Sequence, residues 1–519
     1  MNMVERAPSR PDLSTRLLDW TSAVLFALIS LFYVQDAVAI SAHSPFWMDE
    51  VLALWTARQP DQPAVWAALQ KGSEFTPPLY DSFLHFWIKT GANSPLMLRL
   101  PSIVAGYMAA LAMGELVRRR AGWPLAALAA GSILTGTLFD FSVQLRPYVF
   151  VTAAFGWALV IWDNLPDDGH IPLRRLLALG TLLTAMIALH FYALLLVATL
   201  GLGEITRRYM GGHTPRMKVA LTIGISATTI LCWWPIIHAA SQFSRLDVFA
   251  TGYYGRPLIS HLGTYYVDLW GLPGLIAFVP GFAILVRRRT SIQDIRLGVL
   301  ALVLCAIPAL VFAFALAVSH SFALRYVLAG VFGVVLGLVW FVRQSGESEA
   351  IWSVSILLLL AVFSHNRGIV DIAKQDQLNL FAMAMSTSSP ALSDLPIATG
   401  NGLRYLELMA NLPAKVTRRL IYVDLPDFPT KDPTNMHQVE RWKAIDGTLR
   451  VINGAKFICA TPRFLLLTDA GSADDELPAW LHGRTITPEN RSDRPSLSVV
   501  QIRGNDPLCQ GFAQTLRHI

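Results

Sequence analysis

Apolar residues fill the first 364 positions in long blocks, and short polar or basic segments separate them. Eleven blocks read as membrane spans, near residues 17–40, 96–116, 123–139, 147–162, 174–190, 191–206, 219–236, 263–286, 297–318, 324–342 and 351–364. The fifth and sixth abut, so a tight turn must part them. The first apolar stretch follows Arg6, Arg10 and Arg16 as in a signal peptide, but it runs to Ile40 and is long enough to span, which favours an uncleaved helix. Cleavage would leave the placement of everything downstream unchanged.

After about residue 365 the pattern changes to that of a soluble domain. "LPIATG" (395–400), "RLIYVDL" (419–425) and "FLLLTDA" (464–470) read as short strands, and "GLRYLELMANL" (402–412) has helical periodicity after a turn-forming "GNG". The expected architecture is an α-helical polytopic membrane domain, 1–364, followed by an α/β domain, 365–519.

Composition agrees with a membrane protein. Of the 519 residues 53% are hydrophobic and 15% charged, where a soluble chain carries roughly a quarter charged residues. Mean hydropathy is +0.45. The net charge of +6 is no nucleic-acid signal, because the basic residues cluster between apolar blocks as in cytoplasmic loops. No Walker A motif, nucleotide-binding glycine pattern or zinc-type cysteine spacing occurs.

Lys and Arg set the expected orientation. With the N-terminus in the cytoplasm, the inner segments hold 17 of the 42 Lys and Arg, the outer loops 8 and the tail 17. This bias favours N-in, and an odd number of spans then places the tail outside. Cys459 and Cys509 would lie in a disulfide-permitting compartment, with bridged and free forms both open. Cys232 and Cys305 fall within spans and read as packing residues.

The same parity gathers the unusual polar residues on one face. "SPFWMDEVLALW" (44–55) places Asp49 and Glu50 side by side at the outer surface. Acidic residues favour a helix start, which accounts for one carboxylate better than for two. "SEFTPPLYDSFLHFWIK" (73–89) reads as two chain-breaking prolines and then an interfacial helix with Phe83, Phe86 and Trp87 on or near one side; Glu74 precedes the break. Arg146 in "QLRPY" and Arg325 in "ALRYVL" each stand at a helix start, where the dipole disfavours a cation and an anionic partner is needed. Snorkelling to lipid headgroups is the competing reading for both arginines. His190 in "LHFY" lies at an outer helix end, where a histidine is more often structural than basic.

In these stretches the sequence resembles the GT-C glycosyltransferases that use polyprenyl-phosphate sugars, in the bacterial protein-mannosyltransferase-like branch that includes lipid A aminoarabinose and galacturonic acid transferases. Members read like "W-x-DE-A", "HPPLYY…LLHLW", "RLPSALAG", "YSQEARPYAL", "THYYALLL" and "RYLLP". The matching stretches are "FWMDEVLALW", "FTPPLYDSFLHFW", "LRLPSIVAGY", "FSVQLRPYVF", "LHFYALLLV" and "LRYVLAG", in order across about residues 44–340. Two departures matter: Thr76 replaces the family's His, and Gln144 replaces its Glu, with Asp140 nearby but not at the matching position.

The resemblance implies a bacterial inner-membrane enzyme with its site and C-terminal domain in the periplasm. Asp49 matches the family's base, with Glu50 beside it as the second candidate catalytic residue. A carboxylate at hydrogen-bond distance can take the proton of an attacking hydroxyl or amine. The departing lipid phosphate calls for cations: Arg146 and Arg325 first, then Arg58 and Lys71. Glu74, His190, Tyr148 and Tyr326 complete the expected substrate site. The implied partners are a polyprenyl-phosphate-linked sugar, a lipid, glycan or protein acceptor, and membrane lipids, with no nucleic acid. No metal or cofactor is implied as obligatory, although a divalent cation is compatible. A transporter or flippase for a lipid-linked substrate is the alternative, and it would call for mid-membrane charges and broken spans in two matching halves. A non-catalytic scaffold or receptor would tolerate Asn at position 49.

Overall fold

A computed structural model describes residues 13–166, 170–211, 216–248, 255–271, 292–344, 346–365, 394–425, 434–468, 477–482, 496–503, 506, 507 and 509. Helix α1 spans Leu13–His43, and three short helices follow: α2, Met48–Ala57; α3, Gln62–Gln70; α4, Pro78–Lys89. Helix α5, Pro95–Ala121, returns across the bundle. Five helices among the described residues are long and apolar enough to cross a membrane: Arg16–His43, Pro95–Ala121, Met217–Gln242, Arg296–Ser319 and Leu324–Arg343. Trp123–Thr135, Tyr148–Asp163 and Glu349–His365 are apolar but shorter. The second half of the expected span at 263–286 lies outside the described residues.

The ends of α5 show why these helices start and stop where they do. Ser94 Oγ accepts from Met97 N at 3.3 Å and Pro95 follows it, so the cap and a pre-set φ begin the helix. Arg118, Arg119 and Arg120 occupy the last turn, where cations suit the dipole, and Gly122 at φ 83° ends it in a conformation costly for a residue with Cβ. Pro101 lies inside and cannot donate to the Met97 carbonyl. Trp87 Nε1 of α4 takes that acceptor at 2.8 Å, tying the short helix to the long one.

The turn between Leu173–Leu189 and Ala193–Gly211 is as tight as the abutting apolar blocks require. His190 there is extended, at φ −159° and ψ 129°. Residues 237–248, expected in a loop, instead continue the helix Trp234–Val248. Pro235, near the first position of that helix, starts it without breaking it.

The C-terminal residues build a five-stranded sheet ordered β3-β2-β1-β4-β5, with β1 Ile397–Thr399, β2 Leu420–Asp424, β3 Val451–Asn453, β4 Arg463–Thr468 and β5 Ser496–Gln501. Strands β1 to β4 pair in parallel, and β5 runs antiparallel to β4. The helix Gly402–Asn411 follows β1 and is capped by Asn401, whose Oδ1 accepts from Arg404 N at 3.0 Å. Cys459 and Cys509 are joined in a disulfide with Cα atoms 5.3 Å apart.

Candidate active site

The site begins with α2. Glu50, in its first turn, is fully buried. Its Oε1 accepts from Arg99 Nε at 2.8 Å and from Leu145 N at 2.6 Å, and its Oε2 from Arg99 Nη2 at 2.6 Å and Trp47 N at 3.2 Å. A carboxylate has about four lone-pair sites, so the structure leaves none for a substrate. Arg99 is used up in the same way. Beyond Glu50, its Nη1 donates to the carbonyls of Ser41 and Ser44 at 3.1 and 2.8 Å, and its Nη2 to Pro45 at 3.0 Å. Five N–H groups thus meet five acceptors. The end of α1, the start of α2, the second turn of α5 and the loop before Arg146 are locked together at this point.

Asp49, one residue earlier, faces differently. Its side chain keeps 20% exposure, and Oδ2 lies 3.6 Å from Arg325 Nη1. Arg146 Nη1 donates to the Asp49 carbonyl at 2.7 Å and forms a buried ion pair with Glu74, while Nη2 reaches the Tyr148 hydroxyl at 3.0 Å. The bond from Leu145 N to Glu50 sets this reach, because Arg146 is the next residue.

Beside Glu74 lies Asp81, buried in α4 and not among the residues expected at the site. Thr76 Oγ1 donates to Asp81 Oδ2 at 3.3 Å. Thr76 and Asp81 are the first and last residues of "TPPLYD", and both differ from "HPPLYY", so the two changes touch. Glu74 Oε2 and Asp81 Oδ1 are buried without a donor, a costly state unless a proton lies between them. Burial raises both carboxyl groups above their ordinary range, and Asp81 well above it. Arg146 opposes the rise at both but is ion-paired directly with Glu74, and Asp81 is raised the further, so Asp81 is the member that keeps the proton.

An aromatic wall completes the cluster. Tyr192 stacks on Tyr326 with centroids 4.2 Å apart, and His190 lies 5.4 Å from both Tyr148 and Tyr326. Arg325 sits over the Tyr326 ring at 5.2 Å. The Tyr192 hydroxyl meets Ser319 Oγ and the Ser321 carbonyl, each at 2.6 Å. A cavity of about 20 Å³ opens among Tyr148, His190, Arg325 and Tyr326, enough for one water.

Asp49, Glu74, Arg146, Tyr148, His190, Arg325 and Tyr326 therefore share one cluster. Arg58 and Lys71 do not join it. They close the C-terminal ends of α2 and α3 and are exposed, with Arg58 about 13 Å from Asp49 along the helix. Gln144 is near, and its Oε1 is a buried acceptor without a partner. Among the described residues no group of three or more His, Cys, Asp or Glu side chains could hold a metal ion.

The bundle, the short loop helices and the appended sheet together make a GT-C fold. Two solved structures that share it are of ArnT from Cupriavidus metallidurans. With undecaprenyl phosphate bound, the TM-score is 0.55 at 12% identity, covering 93% of this chain and 98% of that one. In the apo state the TM-score is 0.58 at 12% identity, covering 92% and 97%. No protein-family model matches the sequence, and no curated protein matches it.

Proposed function

We propose that this chain is an inverting glycosyltransferase of the bacterial inner membrane that moves a sugar from a polyprenyl monophosphate to a hydroxyl or amine acceptor on the outer face. The observation that carries the reading is the division of labour between adjacent carboxylates. Glu50 has every lone pair occupied, whereas Asp49 is partly open and stands beside Arg325.

In this reading Asp49 takes the proton of the acceptor as its oxygen or nitrogen attacks the anomeric carbon. The bond from that carbon to the phosphate oxygen breaks on the opposite side, and the electron pair leaves with the lipid phosphate. Arg325 meets the developing charge. Arg146, already neutralised by Glu74, holds the Asp49 backbone and the Tyr148 hydroxyl in place. Tyr148, His190 and Tyr326 supply flat surfaces on which a sugar ring can lie. Lipid A, another surface glycan or a protein are the acceptor classes compatible with an outward site. The ArnT structure with undecaprenyl phosphate supports the donor class.

The test is reconstituted transfer from synthetic polyprenyl-monophosphate sugars, with nucleotide sugars as the comparison. Transfer from the lipid donor is expected, and activity that needs a nucleotide sugar and no lipid overturns the reading.

A further inference from the structure

A cavity of about 300 Å³ lies at the end of the bundle opposite Asp49. Helix α5 sets the separation. Arg99 near its start holds Glu50, and Arg120 near its finish lines the cavity. At 1.5 Å per residue the two are about 31 Å apart, close to the roughly 30 Å thickness of a bilayer's hydrocarbon core. With α5 spanning a bilayer, the cavity would sit at headgroup depth on the face opposite the candidate active site.

Its wall is basic and built. Arg120, Arg207, Arg216 and Arg296 line it, with Asp163 as the one carboxylate among its described lining residues. Arg120 is ion-paired with Asp163, and its carbonyl accepts from Arg343 Nη1 at 2.7 Å. Arg216 is 6% exposed; its Nε donates to Glu204 Oε1 at 3.0 Å and its Nη1 to the Leu165 carbonyl at 3.1 Å. Arg207 Nη2 reaches the same Glu204 oxygen at 3.1 Å, and Trp162 Nε1 fixes the other at 2.8 Å. One carboxylate thus holds two guanidiniums in place. Trp162 and Leu300 give the cavity an apolar flank.

Ion pairs alone do not require an open volume beside them, and closing it with side chains would improve packing. A volume walled by planar guanidinium forks suits an oxyanion with several acceptor oxygens. We propose that this cavity binds the phosphate group of a net-anionic monoester or diester, independently of the sugar-transfer site. A phospholipid headgroup from that leaflet and a soluble phosphate share this chemistry, and the apolar flank suits the first.

The experiment uses the full chain in nanodiscs of phosphatidylcholine, with and without phosphatidylglycerol. Lipid retained after release into detergent is counted by native mass spectrometry. A second arm measures thermal stability in inorganic phosphate against chloride at matched ionic strength. The wild type is expected to retain phosphatidylglycerol over phosphatidylcholine. Arg207→Gln and Arg296→Gln should each lower that retention about fivefold or more, the scale of one lost charge-assisted hydrogen bond. Thr206→Trp fills the cavity, keeps all four arginines and should act alike, which separates occupancy from a folding defect. A response to inorganic phosphate without lipid retention assigns the site to a soluble phosphate. No preference in either arm for the wild type, or equal retention by the wild type and all three variants, overturns the proposal.

Discussion

Asn411 and Phe46, 365 residues apart, bond to each other twice. Asn411 Oδ1 accepts from Phe46 N at 2.7 Å, and its Nδ2 donates to the Phe46 carbonyl at 2.7 Å. One turn earlier on the same helix, Glu407 Oε1 accepts from Met48 N at 3.0 Å. Met48 is the first residue of α2, so a carboxylate of the sheet domain satisfies one of the orphan N–H groups at that helix start. Gln438 adds a bond to the Ser73 carbonyl at 3.2 Å, beside Glu74, and Trp442 packs edge-on against Trp55. The C-terminal domain grips both loops that carry the cluster's carboxylates.

That grip predicts a distant effect on turnover. Asn411→Leu removes both bonds to Phe46 and leaves two backbone groups to find water, a cost of about 1–3 kcal/mol each if they stay buried. Sugar transfer should fall about tenfold or more through kcat, with donor binding retained. Single-turnover kinetics beside a donor-binding assay checks this. An unchanged kcat would mean that the domain does not position Asp49.

Asp49→Asn keeps the side chain's size and removes its basicity. A general base contributes about 10²–10⁴-fold, so transfer should fall by that much while the protein still inserts and binds donor lipid. Near-normal transfer would rule Asp49 out as the base, and Glu50 could not replace it with all its lone pairs engaged.

The cluster was legible in the sequence because its motifs lie within or at the edges of the expected outer loops, so Asp49, Glu74, Arg146, His190 and Arg325 read as sharing one face. The different surroundings of Asp49 and Glu50 were not legible. Adjacent acidic letters look alike until Arg99, 49 positions away, closes on one of them. Asp81 was hidden for a similar reason: in "PLYDSF" it reads as the polar side of an interfacial helix, and its burial depends on Thr76 and Glu74. Arg58 and Lys71 lie near the carboxylates in sequence, and the structure places each at the exposed C-terminal end of a short helix. In the tail, β1, β2 and β4 lie in apolar runs, whereas β3 offers only Val451 and Ile452 before Asn453 and β5 alternates weakly, so periodicity marks neither. Nothing local in "ELMAN" marks Glu407 and Asn411 as contacts of α2.

Glu50→Gln tests the lock itself. Both side chains of the Glu50–Arg99 pair are almost wholly buried. Removing one charge leaves the other without its counter-ion, which costs about 3–5 kcal/mol in such settings. Thermal unfolding in detergent should show a large loss of stability. Glu50→Gln combined with Arg99→Met should recover part of it, because the stranded charge is gone. Equal stability of Glu50→Gln and wild type would contradict the lock.

The disulfide closes a segment of 50 residues. In the chain-entropy account a loop of that length stabilises by about 4 kcal/mol. Cys459→Ser should therefore lower the stability of the sheet domain, read as faster proteolysis between residues 394 and 509. The bundle should be less affected, since the bridge lies within the sheet domain. Reductant should reproduce the effect in the wild type and add nothing in the variant.

The buried pair of Glu74 and Asp81 predicts a pH dependence with a definite sign. Asp81 has a folded-state value well above its ordinary 3.8, because burial next to Glu74 disfavours a second negative charge. Between 3.8 and the raised value the folded chain keeps a proton that the unfolded chain has released. Stability is then fully present below the ordinary value and falls as pH rises through the window, by up to about 1.4 kcal/mol per pH unit for one proton. Asp81→Asn supplies a permanent N–H donor toward Glu74 and carries no proton to lose. The wild type should lose stability from pH 5 upward more steeply than Asp81→Asn, and the two curves should run parallel once the pH exceeds the raised value. Thermal unfolding of both proteins in detergent from pH 5 to 9 gives the comparison. Parallel curves across the whole range would mean that Asp81 is already ionised in the folded protein and that no proton is shared with Glu74.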